Sequence, residues 1–539
     1  MEFGRKGTGL KGKNIMALLL CLGLALPLTG CTPAAQEKGA AVDPTEGNER
    51  VFYQIFVGSF SDSNGDGIGD LRGVIDRLDY LNDGDINSGE SLGVQGIWLS
   101  PIFKSPSYHK YDASDYYTID SRFGTEEDLK ELLELCHARN VKVILDLAIN
   151  HTAKTNPWFT RFAEAHAAGN TESEYYDFYS WVSKDDRKAG ITYLPIPGCG
   201  VDAWYECNFS SDMPELNFDN QAVRQEVLNI AKHYLDLGVD GFRFDAVKYI
   251  YYGETSRCVE FWQWYMDELR ALKPDIYCVG ECWSGEGEVL AYYPAMNCFN
   301  FAASQAEGMI AAAAKGGDIN NFTGYVSSYQ AKVREANPDG MPISFLSNHD
   351  MDRSAGYLML ASHFAQMGAN LYLLSPGSPI IYYGEEIGMK GTRGSANTDA
   401  NRRLALLWGD EDTVRDPEGT TYDRAKQTNG TVASQLEEEG SLLRHYQALI
   451  SLRVKYPEIG RGTYTALNCG SKKVGGFLVE DGESTLVILH NVSRSEELTV
   501  DLSKAGVSAA QLCEVVGMGQ AKLEGTTLTI AAQTSVILR

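Results

Sequence analysis

The chain reads as an α/β protein, a (β/α)8 TIM barrel with a C-terminal antiparallel β-sandwich. Three observations predict this. Four apolar, β-forming stretches run into polar or charged residues: Val141 to His151, Gly238 to Lys248, Ile276 to Trp283 and Ile343 to Asp350. A charge closing a buried strand is costly if unpaired, but suits the open carboxyl end of a parallel strand, where a barrel displays its reactive groups. Beyond Tyr456, short runs such as Phe477 to Val479, Thr485 to Leu489, Leu498 to Leu502 and Ser535 to Leu538 alternate with Gly-rich turns, the pattern of small antiparallel sheets. At 539 residues the chain exceeds one ordinary domain, while a barrel of about 250 residues or more plus smaller parts fits.

The first thirty residues stand apart. Arg5, Lys6, Lys11 and Lys13 precede an apolar run from Ile15 to Leu28, the layout of a secretory signal and too short for a comfortable membrane span. The run ends in Leu28-Thr29-Gly30-Cys31, which resembles a bacterial lipobox and implies cleavage before Cys31 with lipid on its thiol. Residues 31–48, rich in Pro, Ala, Gly and Glu, read as a flexible tether.

The barrel is expected over residues 49–455, and Val51 to Val57 is its first strand candidate. Asp62-Ser63-Asn64-Gly65-Asp66-Gly67-Ile68-Gly69-Asp70 follows, with oxygen-bearing side chains at positions 1, 3, 5 and 9, the spacing of a calcium loop. Position 12 is Gly73 rather than Glu, which excludes an EF-hand. The donors expected for Ca²⁺ are Asp62, Asn64, Asp66, Ile68 and Asp70. The second strand falls within Gly93 to Phe103, and Thr125 with Asp128 forms a capping box before Leu129, Leu132 and Leu133. Residues 152–212, after the third strand, are long and irregular. The fourth strand carries Arg243 and Asp245, two apart and so on one side, where the arginine favours the ionised carboxylate. The fifth ends on Glu281, a sixth lies near Met296 to Phe301, the seventh ends at Asp350, and Pro379 to Gly388 holds the eighth. One amphipathic helix from Ala433 to Lys455 is expected to close the barrel, with residues 456–539 as the sandwich.

The formal charge of −25 argues against nucleic acid as a partner, since phosphates require a basic surface. Of eleven cysteines, nine remain beyond the leader and Cys31, and no spacing fits zinc. Cys199 and Cys207 are the pair best placed for a disulfide, though a reduced pair is equally compatible with the sequence.

Read together, the four strand-end segments resemble the four signature regions of the α-amylase superfamily, glycoside hydrolase family 13, and the likeness runs from about Val51 to the C-terminus. Met213-Pro214-Glu215-Leu216-Asn217 is similar to the fifth signature in its neopullulanase-like form, whereas the calcium loop resembles the oligo-1,6-glucosidase side. This mixture resembles the intermediate group that includes lipoprotein α-amylases. The resemblance implies that 152–212 is an inserted domain B, and that Asp245 is nucleophile, Glu281 acid/base and Asp350 transition-state stabiliser. It also implies that Tyr111, His109, His151, Arg243, Lys248 and His349 serve substrate binding, and that Asp146 is structural. Tyr249 departs from the histidine common after that lysine. The expected protein is a monomeric, lipid-anchored α-amylase on the outside of the cell membrane, acting on α-1,4 bonds of starch and maltooligosaccharides. Two further readings stay open: an oligo-1,6-glucosidase, α-glucosidase or glucan transglycosylase using the same carboxylates, and a non-catalytic glucan-binding surface protein. Ala246 favours the first reading, because oligo-1,6-glucosidases tend to have valine after the nucleophile.

Overall fold

The computed structural model describes residues 48–539 except 86–87, 359–361, 410–411 and 509–510. The signal run, Cys31 and the tether up to residue 47 therefore lie outside the described residues. Seven strands make one parallel sheet, in the order Asn297–Cys298, Tyr277–Gly280, Gly241–Phe244, Lys142–Leu147, Gly96–Leu99, Phe52–Ile55 and Ile380–Tyr382. The segment after Pro342 closes the ring between the two ends. Asn300 N–H donates to Ile343 O at 2.9 Å, and Ile380 N–H donates to Ser344 O at 2.8 Å. This stave, the seventh in chain order, is too irregular to form a ladder of its own, but it completes the (β/α)8 barrel.

The interior is filled by Phe52, Trp98, Ile144, Tyr277, Val279, Phe299, Phe345 and Ile380. Phe52 and Tyr277 come from non-adjacent strands and stack with centroids 4.5 Å apart, so the barrel is packed solid rather than hollow. Gly241 opens the fourth strand because no side chain fits there: a Cβ would sit 1.8 Å from Tyr277 O. The helix Gln221–Leu237 feeds that strand, and its Val223, Val227, Ile230, Ala231 and Tyr234 face the core. The capping box at Thr125 forms as expected at the head of Glu126–Ala138.

Between the third and fourth strands the chain forms the helix Pro157–Ala167 and an antiparallel sheet of Trp181–Ser183, Ala203–Glu206 and Tyr193–Pro195. All nine described cysteines are free, including Cys199 and Cys207, so that pairing is absent. The expected helix from Ala433 to Lys455 is instead two, Val432–Glu437 and Leu442–Lys455. Gly440 at φ +82° breaks the run, and the Ser441 side chain caps the second helix by accepting Arg444 N–H. C-terminal to these, a five-stranded and a three-stranded antiparallel sheet enclose Val474, Val487, Leu489, Val500, Leu528, Ile530, Val536 and Leu538.

Candidate active site

Inward-facing positions change character along the barrel strands. Phe52 and Gln54, Ile144 and Asp146, Gly241, Arg243 and Asp245, and Val279 and Glu281 are each two positions apart. Since alternate residues share a face, the apolar fill gives way to polar and charged groups at the carboxyl end. There a cleft of about 850 Å³ opens, lined among others by Tyr108, His109, Tyr111, His151, Phe209, Asp245, Glu281, Trp283, Asp350 and Arg403.

Arg243 holds the floor together. Its guanidinium is fully buried and lies 2.7 Å from Asp245, 2.8 Å from Asp146 and 3.4 Å from Glu281. One cation thus faces three carboxyl groups, which is what makes their burial tolerable. Asp146 also accepts from Tyr111 Oη at 2.7 Å and Trp98 Nε1 at 3.2 Å. Burial, reinforced by Asp245, pushes the Asp146 carboxyl up to about 6 despite Arg243.

Glu281 is an acid facing the cleft whose carboxyl is strongly raised. Burial first, then repulsion from Asp245 and Asp350, pushes it up to about 8, against the pull of Arg243. Its Oε2 accepts Ala246 N–H at 3.0 Å. Ala246 adopts φ +51°, ψ +42°, a left-handed conformation that a non-glycine residue seldom takes and that collects at functional sites. Here it aims the amide at Glu281.

Asp350 sits across the cleft. Burial would raise it, but the hydrogen bond from His349 and the guanidinium charges of Arg403 and Arg243 outweigh that and hold its carboxyl well below the usual range. Arg403 Nη2 donates to Oδ1 at 2.8 Å, and His349 Nε2 lies 3.0 Å from Oδ2.

The other predicted residues divide into two sets. Tyr111, His109 and His151 line the cleft. His151 Nε2 is buried without a partner, and burial lowers both this ring and, with help from Arg403, His109, the latter to about 4. Both therefore present neutral rings. Arg243 and His349 are fully buried, so they act through the carboxylates rather than by touching a ligand. Lys248 Nζ donates to Trp283 O at 2.7 Å and so props the loop that bears Trp283. Tyr249 packs against Phe209 at 4.5 Å and stacks on Tyr252 at 4.7 Å. Sequence reasoning missed Gln54 and Arg403: a single polar residue in a strand and an arginine in a loop carry no spacing signal.

At the predicted metal loop, Asp62 accepts the amides of Asn64, Gly65 and Gly67 at 3.1, 2.8 and 2.7 Å. Asp70 accepts Gly73 N–H at 2.6 Å and caps the following helix. Burial and the nearby Asp62 raise the Asp70 carboxyl, a repulsion that a bound cation relieves. The donor set is all oxygen, as Ca²⁺ requires. Among the described residues, no three His, Cys, Asp or Glu side chains converge as a metal site.

A buried Arg amid carboxylates at the mouth of a (β/α)8 barrel is the site of a glycoside hydrolase. Residues 54–462 match the family model "Alpha amylase, catalytic domain", and the chain belongs to the α-amylase family. It is 34% identical over 450 residues to alpha-amylase 3 of Dictyoglomus thermophilum, covering 83% of this chain and 85% of that one. It is 30% identical over 460 residues to a 4-alpha-glucanotransferase of Thermotoga maritima, covering 83% and 96%. Amy13B of Eubacterium rectale superposes with a TM-score of 0.83 at 34% identity, covering 91% and 95%.

Proposed function

We propose that this enzyme is an extracytoplasmic, lipid-anchored α-amylase that hydrolyses α-1,4-glucosidic bonds of starch and maltooligosaccharides with retention. The observation that carries the reading is one guanidinium, Arg243, within 3.4 Å of both Asp245 and Glu281, with Asp350 facing them across the cleft. Retaining enzymes need their two carboxyl groups close together, about 5 Å apart, and binding to one guanidinium keeps Asp245 and Glu281 near each other.

The steps follow from the charges. Asp245 attacks the anomeric carbon as its bond to the leaving oxygen breaks, and Glu281, kept protonated by burial, passes its proton to that oxygen. A glycosyl ester on Asp245 results. Water then attacks the same carbon while the Glu281 carboxylate takes its proton, which frees the sugar and restores both residues. Asp350, held ionised, accepts sugar hydroxyls and stabilises the positive charge on the ring. His109 and His151 bond hydroxyls, and Tyr111 offers a ring face. In the Asp62–Asp70 loop, Asp62, Asn64, Asp66, the Ile68 carbonyl and Asp70 would hold a structural Ca²⁺, which supplies rigidity rather than chemistry.

The similarity to a 4-alpha-glucanotransferase favours a second reading, in which a sugar hydroxyl replaces water in the second step. Products from amylose, pullulan and isomaltose separate the readings. Maltooligosaccharides from amylose with one new reducing end per cut support the amylase. Redistributed chain lengths without new reducing ends support transfer, and cleavage of isomaltose alone supports an oligo-1,6-glucosidase.

A further inference from the structure

Gln54 lies on the first barrel strand, fully buried beneath the cleft, and has no place in the chemistry described above. Its Nε2 is 2.7 Å from His349 Nδ1. The other ring nitrogen, Nε2, is 2.6 Å from Tyr111 Oη and 3.0 Å from Asp350 Oδ2. Tyr111 has a single hydroxyl proton, and Asp146 Oδ2 accepts it at 2.7 Å. The Tyr111 oxygen is therefore an acceptor toward His349, as is the Asp350 carboxylate. Both require a hydrogen on His349 Nε2.

The state of Nδ1 then rests on Gln54. An amide has nearly the same outline either way round, so its hydrogen bonds decide its orientation. With the amino group toward the ring, Nδ1 accepts, the imidazole is neutral, and Gln54 Oε1 and the second amide hydrogen are left without partners. Turned over, Oε1 would accept from a protonated Nδ1, the ring would be a cation, and both amide hydrogens would be orphaned, a rarer state for a buried N–H than for a carbonyl oxygen. Leaving more buried polar hydrogens unmatched is the costlier arrangement. The other charged groups around the ring are Asp146 and Asp350, with Arg243 and Arg403 behind them, and Arg403 Nε fixes the backbone by donating to His349 O at 3.1 Å. The ring is also clamped in plane, stacked on Tyr111 at 5.3 Å and edge-on to Trp98 at 6.0 Å.

We propose that Gln54 is a positioning residue that holds His349 as the neutral Nε2–H tautomer, aiming one N–H at Asp350 and Tyr111. Its effect on turnover rests on the functional reading above; its effect on the ring does not.

The test uses the full chain labelled with ¹⁵N-histidine, with the His349 signals assigned by their loss in His349→Asn. Wild type is expected to show a bare Nδ1 and a protonated Nε2. Gln54→Glu places an acceptor at Nδ1 and is expected to protonate both nitrogens, whereas Gln54→Leu removes the donor and is expected to give mixed tautomers. On maltoheptaose both variants should lose about tenfold or more in kcat, a barrier change of one decade, with KM within about threefold. An unchanged His349 pattern in Gln54→Leu, or wild-type kcat in Gln54→Glu, overturns the proposal. Should Gln54→Glu fail to fold, Gln54→Leu alone decides, since leucine has a similar volume and neither donates nor accepts. If wild type cleaves no glucan, the functional reading fails and the ¹⁵N spectra still judge the role of Gln54.

Discussion

At the scale of single residues, the carboxylates carry the sharpest consequences. Asp245→Asn keeps the shape of a buried side chain but removes the nucleophile, so kcat on starch is expected to fall more than a thousandfold, on the order of 4 kcal/mol or more of barrier, with an unchanged melting curve. Residual activity above that level would remove Asp245 from the role. Glu281 sets the pH response. Its carboxyl titrates at about 8 in the folded enzyme, so the proton-donating form is present below that pH and is lost as pH rises through it. The rate of cleavage should decline on the alkaline side near pH 8, and Glu281→Gln should abolish that limb while sparing substrates whose leaving group needs no proton. An alkaline limb that survives in Glu281→Gln would assign the titration elsewhere. Asp245, Glu281 and Asp350 were legible in the sequence because each ends a strand pattern whose apolar run makes a charge anomalous. Gln54 and Arg403 were not, because their meaning comes from His349 and Asp350, which are 295 and 53 residues away along the chain.

At the scale of elements, local structure was readable where the start or stop signal is a hydrogen bond made within a few residues of chain. The capping box at Thr125 falls where the sequence put it, and the fifth strand stops at Gly280, one residue before Glu281. The third ends at Leu147 and the eighth at Tyr382, short of the polar residues expected to close them, and the helix expected from Ala433 to Lys455 overlooked what Gly440 does to a periodic pattern. The seventh stave was legible as an apolar run before Asp350, yet its pairing is too sparse to make a regular strand. The Asp62–Asp70 loop makes its own prediction. Its carboxylates are held by backbone amides and by Thr413 Oγ1, which donates to Asp62 Oδ2 at 2.7 Å, so the loop can keep its shape without a metal. A cation bound only by the native state adds stability by mass action. Chelator should therefore lower the melting temperature, calcium should restore it, and Asp62→Ala should make the protein indifferent to both. A melting curve insensitive to chelator, on protein verified metal-free, would remove the site.

At the scale of the whole molecule, the question is where the enzyme works. If the enzyme acts on a polymer outside the cell, as proposed, Leu28-Thr29-Gly30-Cys31 with the polar stretch after it is a segment suited to hold it there. Among the described residues, no helix is long and apolar enough to cross a membrane. Each buried acyl CH₂ contributes about 0.8 kcal/mol; one chain anchors marginally, but two or more hold stably. A diacylated Cys31 would meet that threshold without any apolar patch on the barrel. Cys31→Ala should move amylase activity from the membrane fraction into the soluble fraction, or leave an unprocessed precursor, with kcat on soluble starch unchanged. Wild-type activity found wholly in the medium, with a mature N-terminus other than Cys31, would show that the enzyme is secreted free.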